Sequence, residues 1–430
     1  LKIAIIGSGI AGNVIAHHLY RQHEITVFES NQHIGGHTHT HSIDWDGESH
    51  EIDTGFIVFN NWTYPNFIEL LCKLGVETRP STMSFSVRNE TTGLEYNGTS
   101  LNGLFAQRRN IFRPSFYRII REIVRFNRDA PKLLASTLEL SLGDYLVAEK
   151  YGQEFIRNYL IPMAAAIWSA RPLQILAVPA RFFVRFFHNH GMLSVDNRPE
   201  WRVIAGGSMR YVEALVRPFR DRIRLNTPVE SVQRACSSVL IKARGCDTER
   251  YDQVFFACHS DQALKLLADG TPLEHEILSA IRYQENEVVL HTDASVLPRN
   301  RRAWAAWNYH VVGDGEKGRP DAEARATLTY NMNILQNLES RNTFCVTLNG
   351  QHTIAAERIL LQFTYSHPIY TAAAVAAQSR QHEINGGNRS FFCGAYWGYG
   401  FHEDGVVSAL KALEHFRKAQ QFAEPLRHVA

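Results

Sequence analysis

Six residues near the start of the chain constrain it most. Gly7-Ser8-Gly9-Ile10-Ala11-Gly12 follows directly on the apolar run Lys2-Ile3-Ala4-Ile5-Ile6 and precedes a helical stretch from Asn13 to Tyr20. A second run, Glu24-Ile25-Thr26-Val27-Phe28, ends on Glu29. A Gly-x-Gly-x-x-Gly turn between a strand and a helix, with an acid closing the next strand, is an arrangement that binds a dinucleotide. Gly7 permits the tight turn, Gly9 lets the backbone approach a pyrophosphate, and Gly12 lets helix and strand pack closely. The helix N-terminus offers N–H groups and partial positive charge to the phosphates. Glu29 can accept from both ribose hydroxyls. Ser8, Ile10 and Ala11 in the turn, and Ser30 beside the acid, complete the expected contacts at this end.

A chain of 430 residues is too long for one simple core, so two domains are expected. A net charge of +2 gives no global case for nucleic acid. The six cysteines (Cys72, Cys236, Cys246, Cys258, Cys345, Cys393) are scattered without a Cys-x-x-Cys pair. That pattern favours reduced thiols over disulfides or zinc, and a cytoplasmic setting. The first strand starts at Lys2, so no signal peptide is expected, and no run approaches the roughly 18 apolar residues of a membrane-spanning helix. The Asn-x-Thr sequons at Asn61, Asn89 and Asn97 are therefore read as accidental.

The next segment narrows the dinucleotide. Five residues after Glu29 comes Gly35-Gly36-His37-Thr38, and then Ile52-Asp53-Thr54-Gly55-Phe56. A second glycine pair just past the ribose acid is unnecessary for NAD. It resembles the FAD fingerprint of the amine oxidase, protoporphyrinogen oxidase and phytoene desaturase superfamily, in which acid-x5-Gly-Gly-Arg passes close to the flavin side of the cofactor. His37 stands where most of that superfamily has arginine. Further segments carry the same resemblance. Ile223 to Val232 is similar to the strand that clamps adenine near Val229, and Tyr251 to Cys258 to a buried family strand. Gly206-Gly207-Ser208-Met209 matches a glycine pair that opens a helix. Ser390 to Gly394, Trp397 to Gly405 and a helix from Val406 to Lys418 resemble the closing motif, whose helix N-terminus points at the flavin carbonyls.

The resemblance implies FAD as cofactor and an α/β fold: a Rossmann-like FAD-binding domain of amine-oxidase type with an inserted α+β substrate domain. The FAD-binding domain would be discontinuous, over 1–75, 200–290 and 385–430. The substrate domain would take 76–199, read as largely helical, and 291–384, read as sheet. Asp314 to Ala322 is the most loop-like stretch. Besides the residues of the first turn, the resemblance assigns Gly36, His37, Thr38, Gly55, Phe56, Val229, Gly394, Glu403, Asp404, Gly405 and Val406 to the cofactor. Glu403 and Asp404 are read as cap and cofactor contact rather than as bases.

Two departures bear on the chemistry. Flavin amine oxidases of this superfamily carry a lysine near N5, on a strand aligned with Tyr283 to Thr292. This chain has Asn286-Glu287-Val288-Val289 there. The cage tyrosine of those enzymes falls at His402, the candidate catalytic residue, whose imidazole would titrate near neutrality and move a proton. Both departures point away from amine oxidation and towards dehydrogenation of a C–C bond. The chain resembles a branch often encoded beside cyclopropane-fatty-acid-synthase-like methyltransferases, through His291-Thr292-Asp293 and Ala303 to Tyr309. That implies a fatty-acyl or other apolar substrate. An amine oxidase, a non-redox flavin isomerase and a lipid carrier on the same fold remain as alternatives. Trp304, Trp307, Tyr365 and Tyr370, with Asn308, Tyr309 and His367, are candidates for the substrate cavity. His33, His37, His39 and His41 cluster in sequence, but no carboxylate or cysteine completes a metal site, and none is expected.

Arg118, Arg121, Arg125, Arg128 and Lys132 recur at spacings of three and four, which places them on one basic helical face. Phe112, Phe116, Ile120 and Ile123 form an apolar face, and Arg181-Phe182-Phe183-Val184-Arg185-Phe186-Phe187 adds a second aromatic-basic run. A basic amphipathic helix suits peripheral contact with an anionic membrane, and equally a solvated face over a core.

Overall fold

The computed structural model describes residues 1–194, 196–311 and 327–427. The Asp314 to Ala322 stretch lies outside the described residues. At the centre is a five-stranded sheet in the order Ile223–Arg224, Glu24–Phe28, Lys2–Ile6, Gln253–Phe256, Ser390–Phe392. Every pairing in it is parallel. Its strands read as near-continuous apolar runs because both faces are covered. Ile3 and Ile5 face one core, shared with helices Ile10–Leu19, Met209–Val216 and His402–Arg427. Ala4 and Ile6 face a second core, under the three-stranded sheet Val229–Arg234, Val239–Ala243, Glu249–Tyr251 and the helices Ser260–Leu266 and Pro272–Ser279. The period of two along one strand thus joins two cores.

Arg234 fastens that small sheet to the parallel one. Its side chain is 1% exposed. It donates to Asp269 Oδ1 at 3.1 Å, Glu274 Oε2 at 2.8 Å and Ser390 Oγ at 2.9 Å. Arg234→Ala leaves the Glu274 carboxylate buried without its cation. The expected cost is about 3–5 kcal/mol, read by chemical denaturation. A loss below about 1 kcal/mol would show that Glu274 is solvated or repartnered.

A seven-stranded sheet lies beside this unit, in the order Ile359–Ile369, Arg282–His291, Cys345–Leu348, Thr327–Asn331, Trp307–Val311, Phe85–Asn89, Leu94–Asn97. All its pairings are antiparallel except Trp307–Val311 with Phe85–Asn89. The 76–199 segment, read as mostly helical, therefore also lends two strands to this sheet. The two form a local hairpin, but Phe85–Asn89 joins the sheet through Trp307–Val311, more than 200 residues away, and no local pattern signals that pairing. The strand Arg282–His291 belongs to this sheet and pairs along its length with Ile359–Ile369.

Helices between residues 114 and 189 cover the sheet around a core that includes Phe126, Phe155, Trp168, Phe183, Phe187 and Tyr370. The basic helix is Pro114–Asp129, and a 3-10 turn, Ala130–Ala135, succeeds it. Its Phe116 and Ile119 are buried, and Ile120 and Ile123 pack beside them. The second aromatic-basic run forms helix Ala180–Asn189 and turns Phe183, Phe186 and Phe187 inward, so these rings are core rather than surface. Among the described residues no helix is long and apolar enough to cross a membrane.

Candidate cofactor and active site

The first glycine turn is built around contacts that tolerate no side chain. Gly7 has φ +105°, and its N–H donates to Phe28 O at 2.8 Å. A Cβ on Gly12 would lie 2.0 Å from Gly7 O. Gly9 differs: a Cβ there meets nothing within 4 Å among the described residues. Its side faces open space, as an approaching phosphate requires. Helix Ile10–Leu19 has no side-chain N-cap and no acid in its first turn, so its leading N–H groups and dipole are not neutralised locally. Ile10 and Ala11 are buried in the core behind the turn.

Glu29 sits beside this turn. Its carboxylate accepts from Ser8 N at 3.0 Å, Ser8 Oγ at 2.6 Å and Asn31 N at 2.9 Å, with Ser30 Oγ at 3.3 Å. Ser8 and Ser30 therefore brace the acid in this structure. The segment leading to Val229 docks here too: Glu29 N donates to Arg224 O at 2.9 Å and Thr227 N to Glu29 O at 2.8 Å. Fold topology thus places the segment before Val229 next to Glu29, some 200 residues away in sequence.

The second glycine pair meets the first. Gly35 N donates to Ser8 O at 3.0 Å, and a Cβ on Gly36 would lie 3.2 Å from Gly9 Cα. Gly55 presses on His37, where a Cβ would come 2.0 Å from the carbonyl oxygen, and Phe56 N donates to that oxygen at 2.8 Å. The His37 ring bonds to the Ser366 backbone. Its Nε2 is buried with no partner among the described residues. An orphaned buried nitrogen beside the paired glycine turns is a group awaiting a ligand. Together with the open side of Gly9, the uncapped helix and Glu29, it fits FAD. Those residues would hold the cofactor, which when bound supplies a hydride acceptor.

His37 packs near Tyr365 (ring centroids 4.9 Å), His367 (5.7 Å) and His259 (5.8 Å). Burial pushes His37 and His259 down to about 4 and His367 to about 3, so these imidazoles are neutral at physiological pH. Asn286 is buried beside them. Its Oδ1 accepts from Asn349 Nδ2 at 2.8 Å, so its own Nδ2 donates to His367 Nδ1 at 2.9 Å. That fixes the His367 proton on Nε2.

The last helix starts at His402, four residues before the expected Val406, and His402 is not placed to titrate near neutrality. Its Nε2 lies 2.9 Å from both Thr38 Oγ1 and Tyr211 OH, and its ring stacks on Phe56 at 3.5 Å. Burial, with His37 nearby, holds it well below its usual range. Sequence gave no sign of this, because Tyr211 and Phe67, which enclose the ring, come from remote elements. Glu403 accepts from Asn66 N at 3.1 Å and Phe67 N at 2.9 Å, capping helix Pro65–Leu74. Asp404 accepts from Tyr399 N at 3.0 Å and Phe401 N at 2.9 Å, closing the preceding turn. Both acids lie in the first turn of the last helix rather than ahead of it, and Glu403 caps a different helix. Gly405 lets the last helix meet the first: a Cβ would lie 2.6 Å from Ile10 Cγ2, and Val406 is buried in the same core. Gly394 N donates to Ser408 Oγ at 2.9 Å.

The four aromatic substrate candidates separate. Tyr365 joins the His37 group, with its hydroxyl 3.1 Å from Thr54 Oγ1. Tyr370 joins a different set: its ring lies 5.1 Å from Phe182 and 6.1 Å from Trp168, and its hydroxyl is buried without a partner among the described residues. Trp307 packs on Tyr330 at 5.3 Å. Trp304 lies apart, donating to Pro298 O at 2.8 Å under the Arg301 guanidinium. Residues outside the expected set complete the aromatic wall: Trp168, Phe182, Phe186 and Tyr399, with Phe182 to Tyr399 at 4.6 Å. The signal was there in the Arg181 to Phe187 run, which reads as surface until its partners are known. A cavity of about 410 Å³ adjoins this wall, lined by Trp62, Tyr64, His190, Tyr399, Phe401 and Asp404 among others.

The histidine cluster splits in two. His33 stacks on His39 at 4.0 Å and His41 lies tilted 3.9 Å from His39, while Phe363, 5.5 Å from His41 and 5.1 Å from Tyr365, separates this row from His37. Among the described residues no group of three or more His, Cys, Asp or Glu is placed to hold a metal.

Comparison with known proteins agrees with this geometry. The model of flavin containing amine oxidoreductases matches residues 10–320. No curated protein sequence matches. Solved structures share the fold over nearly the whole length. A putrescine oxidase has a TM-score of 0.66 at 16% identity, covering 97% of this chain and 99% of its own. Cyclohexylamine oxidase from Brevibacterium oxydans has 0.68 at 15%, covering 98% and 99%. A CLA-producing fatty acid isomerase from P. acnes has 0.68 at 16%, covering 96% and 98%. With its paired glycine turns and a family match over most of its length, the chain belongs to the flavin-containing amine oxidoreductase family and is an FAD-dependent oxidoreductase.

Proposed function

We propose that this enzyme dehydrogenates a C–C bond of an apolar, fatty-acyl-like substrate: one carbon gives up a hydride from its C–H bond and its neighbour gives up a proton, which leaves a double bond. One observation carries the reading. The strand aligned with the one that carries the amine-oxidase lysine, Tyr283 to Thr292, has no lysine, and the amide of its buried Asn286 is spent on Asn349 and His367. No ammonium or free amine stands there. The wall beyond is aromatic, and the histidines around His37 are neutral, which suits a substrate without charge at the reacting carbon. The buried Tyr370 hydroxyl and Trp168 Nε1, both without partners among the described residues, offer donors to an acyl oxygen.

A second reading, amine oxidation, is favoured by Glu403 and Asp404 on the cavity wall, where aromatic rings and carboxylates receive a cation. Against it, backbone donors already engage both carboxylates, and burial pushes Asp404 up to about 7. Anaerobic titration separates the readings. Stoichiometric bleaching of the flavin by a long-chain acyl compound, with a new double bond in the product, is the expected result. Bleaching by alkylamines alone would reverse the ranking. A shifted double bond with no net bleaching would make the protein an isomerase.

A further inference from the structure

The charge of this chain is unevenly placed. It sums to +2. Yet Arg108 to Lys132 holds eight basic residues against Glu122 and Asp129, a local +6 that leaves −4 for the rest. Glu122 also turns inward, accepting from Gly152 N at 3.0 Å. Arg108, Arg109, Arg113 and Arg121 have no carboxylate within ion-pair distance among the described residues, in contrast to Arg118, which pairs with Glu154.

Large apolar side chains stand among these arginines. Phe112 is 85% exposed, Leu101 76%, Val124 58% and Tyr117 46%. They come from neighbouring elements: Phe112 closes the 3-10 turn that Arg108 opens, and Tyr117 and Val124 lie on the helix that follows. Arg108 donates to Asn102 Oδ1 and Phe105 O beside Leu101, and the Phe105 ring packs 6.1 Å from Tyr117. Tyr117, Arg121, Val124 and Arg128 follow one another along one side of the helix. The opposite side is spent on the core: Phe116 and Ile119 are buried, and Phe126 lies 6.4 Å from Phe183. Phe183 shares its helix with Phe182 and Phe186 of the aromatic wall. This surface thus stands one helical layer from the apolar cavity wall.

We propose that this face docks the protein on an anionic lipid bilayer, with the arginines at the headgroups and Phe112, Leu101 and Tyr117 in the interface. Two chemistries point to lipid together. A nucleic acid or other polyanion rewards the arginines but leaves Phe112 and Leu101 in water. A bilayer with negative headgroups rewards both. A patch of this kind is unusual on a surface that contacts only solvent. The proposal is independent of which bond the flavin site oxidises.

The test is sedimentation of the flavin-loaded protein with vesicles of phosphatidylcholine, with and without phosphatidylglycerol. The expected result is binding to the mixed vesicles at least tenfold tighter than to the neutral ones, weakened by added salt. Phe112→Ser should cost roughly tenfold through lost apolar burial. Arg108→Gln with Arg121→Gln should cost about fivefold per charge. All these side chains are exposed, so an unchanged visible spectrum and melting temperature would confirm that the variants are folded. Equal binding of wild type and variants would overturn the proposal, as would no binding to either vesicle. Retention on a soluble polyanion that Phe112→Ser leaves intact, without vesicle binding, would make the face a polyanion site and overturn it too.

Discussion

Gly9→Val is expected to give a folded, colourless protein. At Gly9 the backbone is extended (φ −69°, ψ −178°), which valine accepts, and a Cβ meets nothing within 4 Å among the described residues. The added side chain would occupy the space where phosphate must come. Cofactor affinity should fall by at least about 100-fold, roughly 2.8 kcal/mol. The apoprotein should melt within a degree or two of the wild-type apoprotein. Gly12→Val is the contrast. Its Cβ would sit 2.0 Å from Gly7 O, so the turn itself must break and stability should fall with binding. Visible absorbance after reconstitution and apoprotein melting check both. A yellow Gly9→Val protein with normal affinity would remove this turn from the cofactor site.

The second large effect is acid lability between pH 7 and pH 5. Burial holds His37, His190, His259 and His291 at about 4 and His367 at about 3, against an ordinary 6.5. A base depressed in the folded state contributes full stability above pH 6.5. That contribution is lost as pH falls, because the unfolded chain takes the proton first. At pH 5 each such histidine costs about 2 kcal/mol, roughly 10 kcal/mol for the five. Two buried acids oppose this. Asp53 is raised to about 6 and Asp404 to about 7, so both favour the folded state as pH drops. Their joint gain from pH 7 to 5 is about 4 kcal/mol. The histidines win by about 6 kcal/mol, a large part of the 5–15 kcal/mol that holds an ordinary domain. Denaturant unfolding across this range should show the loss, with the steepest fall below pH 6. A flat profile would mean that these imidazoles are hydrated or already charged.

How much of this was legible depended on how local its cause was. The strand Glu24–Phe28 has the bounds that its apolar run suggests, because burial on both faces leaves a run with sharp ends. The glycine turns are legible because backbone approach excludes every other residue there. The larger sheet was read only in part. Phe85–Asn89 is five residues long and lies parallel to Trp307–Val311, a pairing that no short-range pattern can announce. His402 shows the boundary well. The motif puts it shortly before a helix expected from Val406, and the fold starts that helix at His402 itself. Its protonation follows from Tyr211, Thr38 and Phe56, which only the fold assembles. Trp304 fails for the same reason: composition shows an aromatic cluster, but the chain direction after Ala303 sends that indole to Pro298.

The central sheet also sets a schedule. Its middle strand is Lys2–Ile6 and its edge strand is Ser390–Phe392, with the closing helix later still. A ribosome adding about 5–20 residues each second needs roughly 20–80 s to travel from one to the other. For the last roughly 7–27 s of it, after Gln253–Phe256 is made, the apolar edge of that strand, which is fully buried in the finished protein, has no neighbour on its outer side. The nascent chain must be sheltered there, or its cofactor half must stay unfolded until synthesis is nearly done. A truncation that stops before residue 390 should therefore aggregate rather than persist as a smaller flavoprotein.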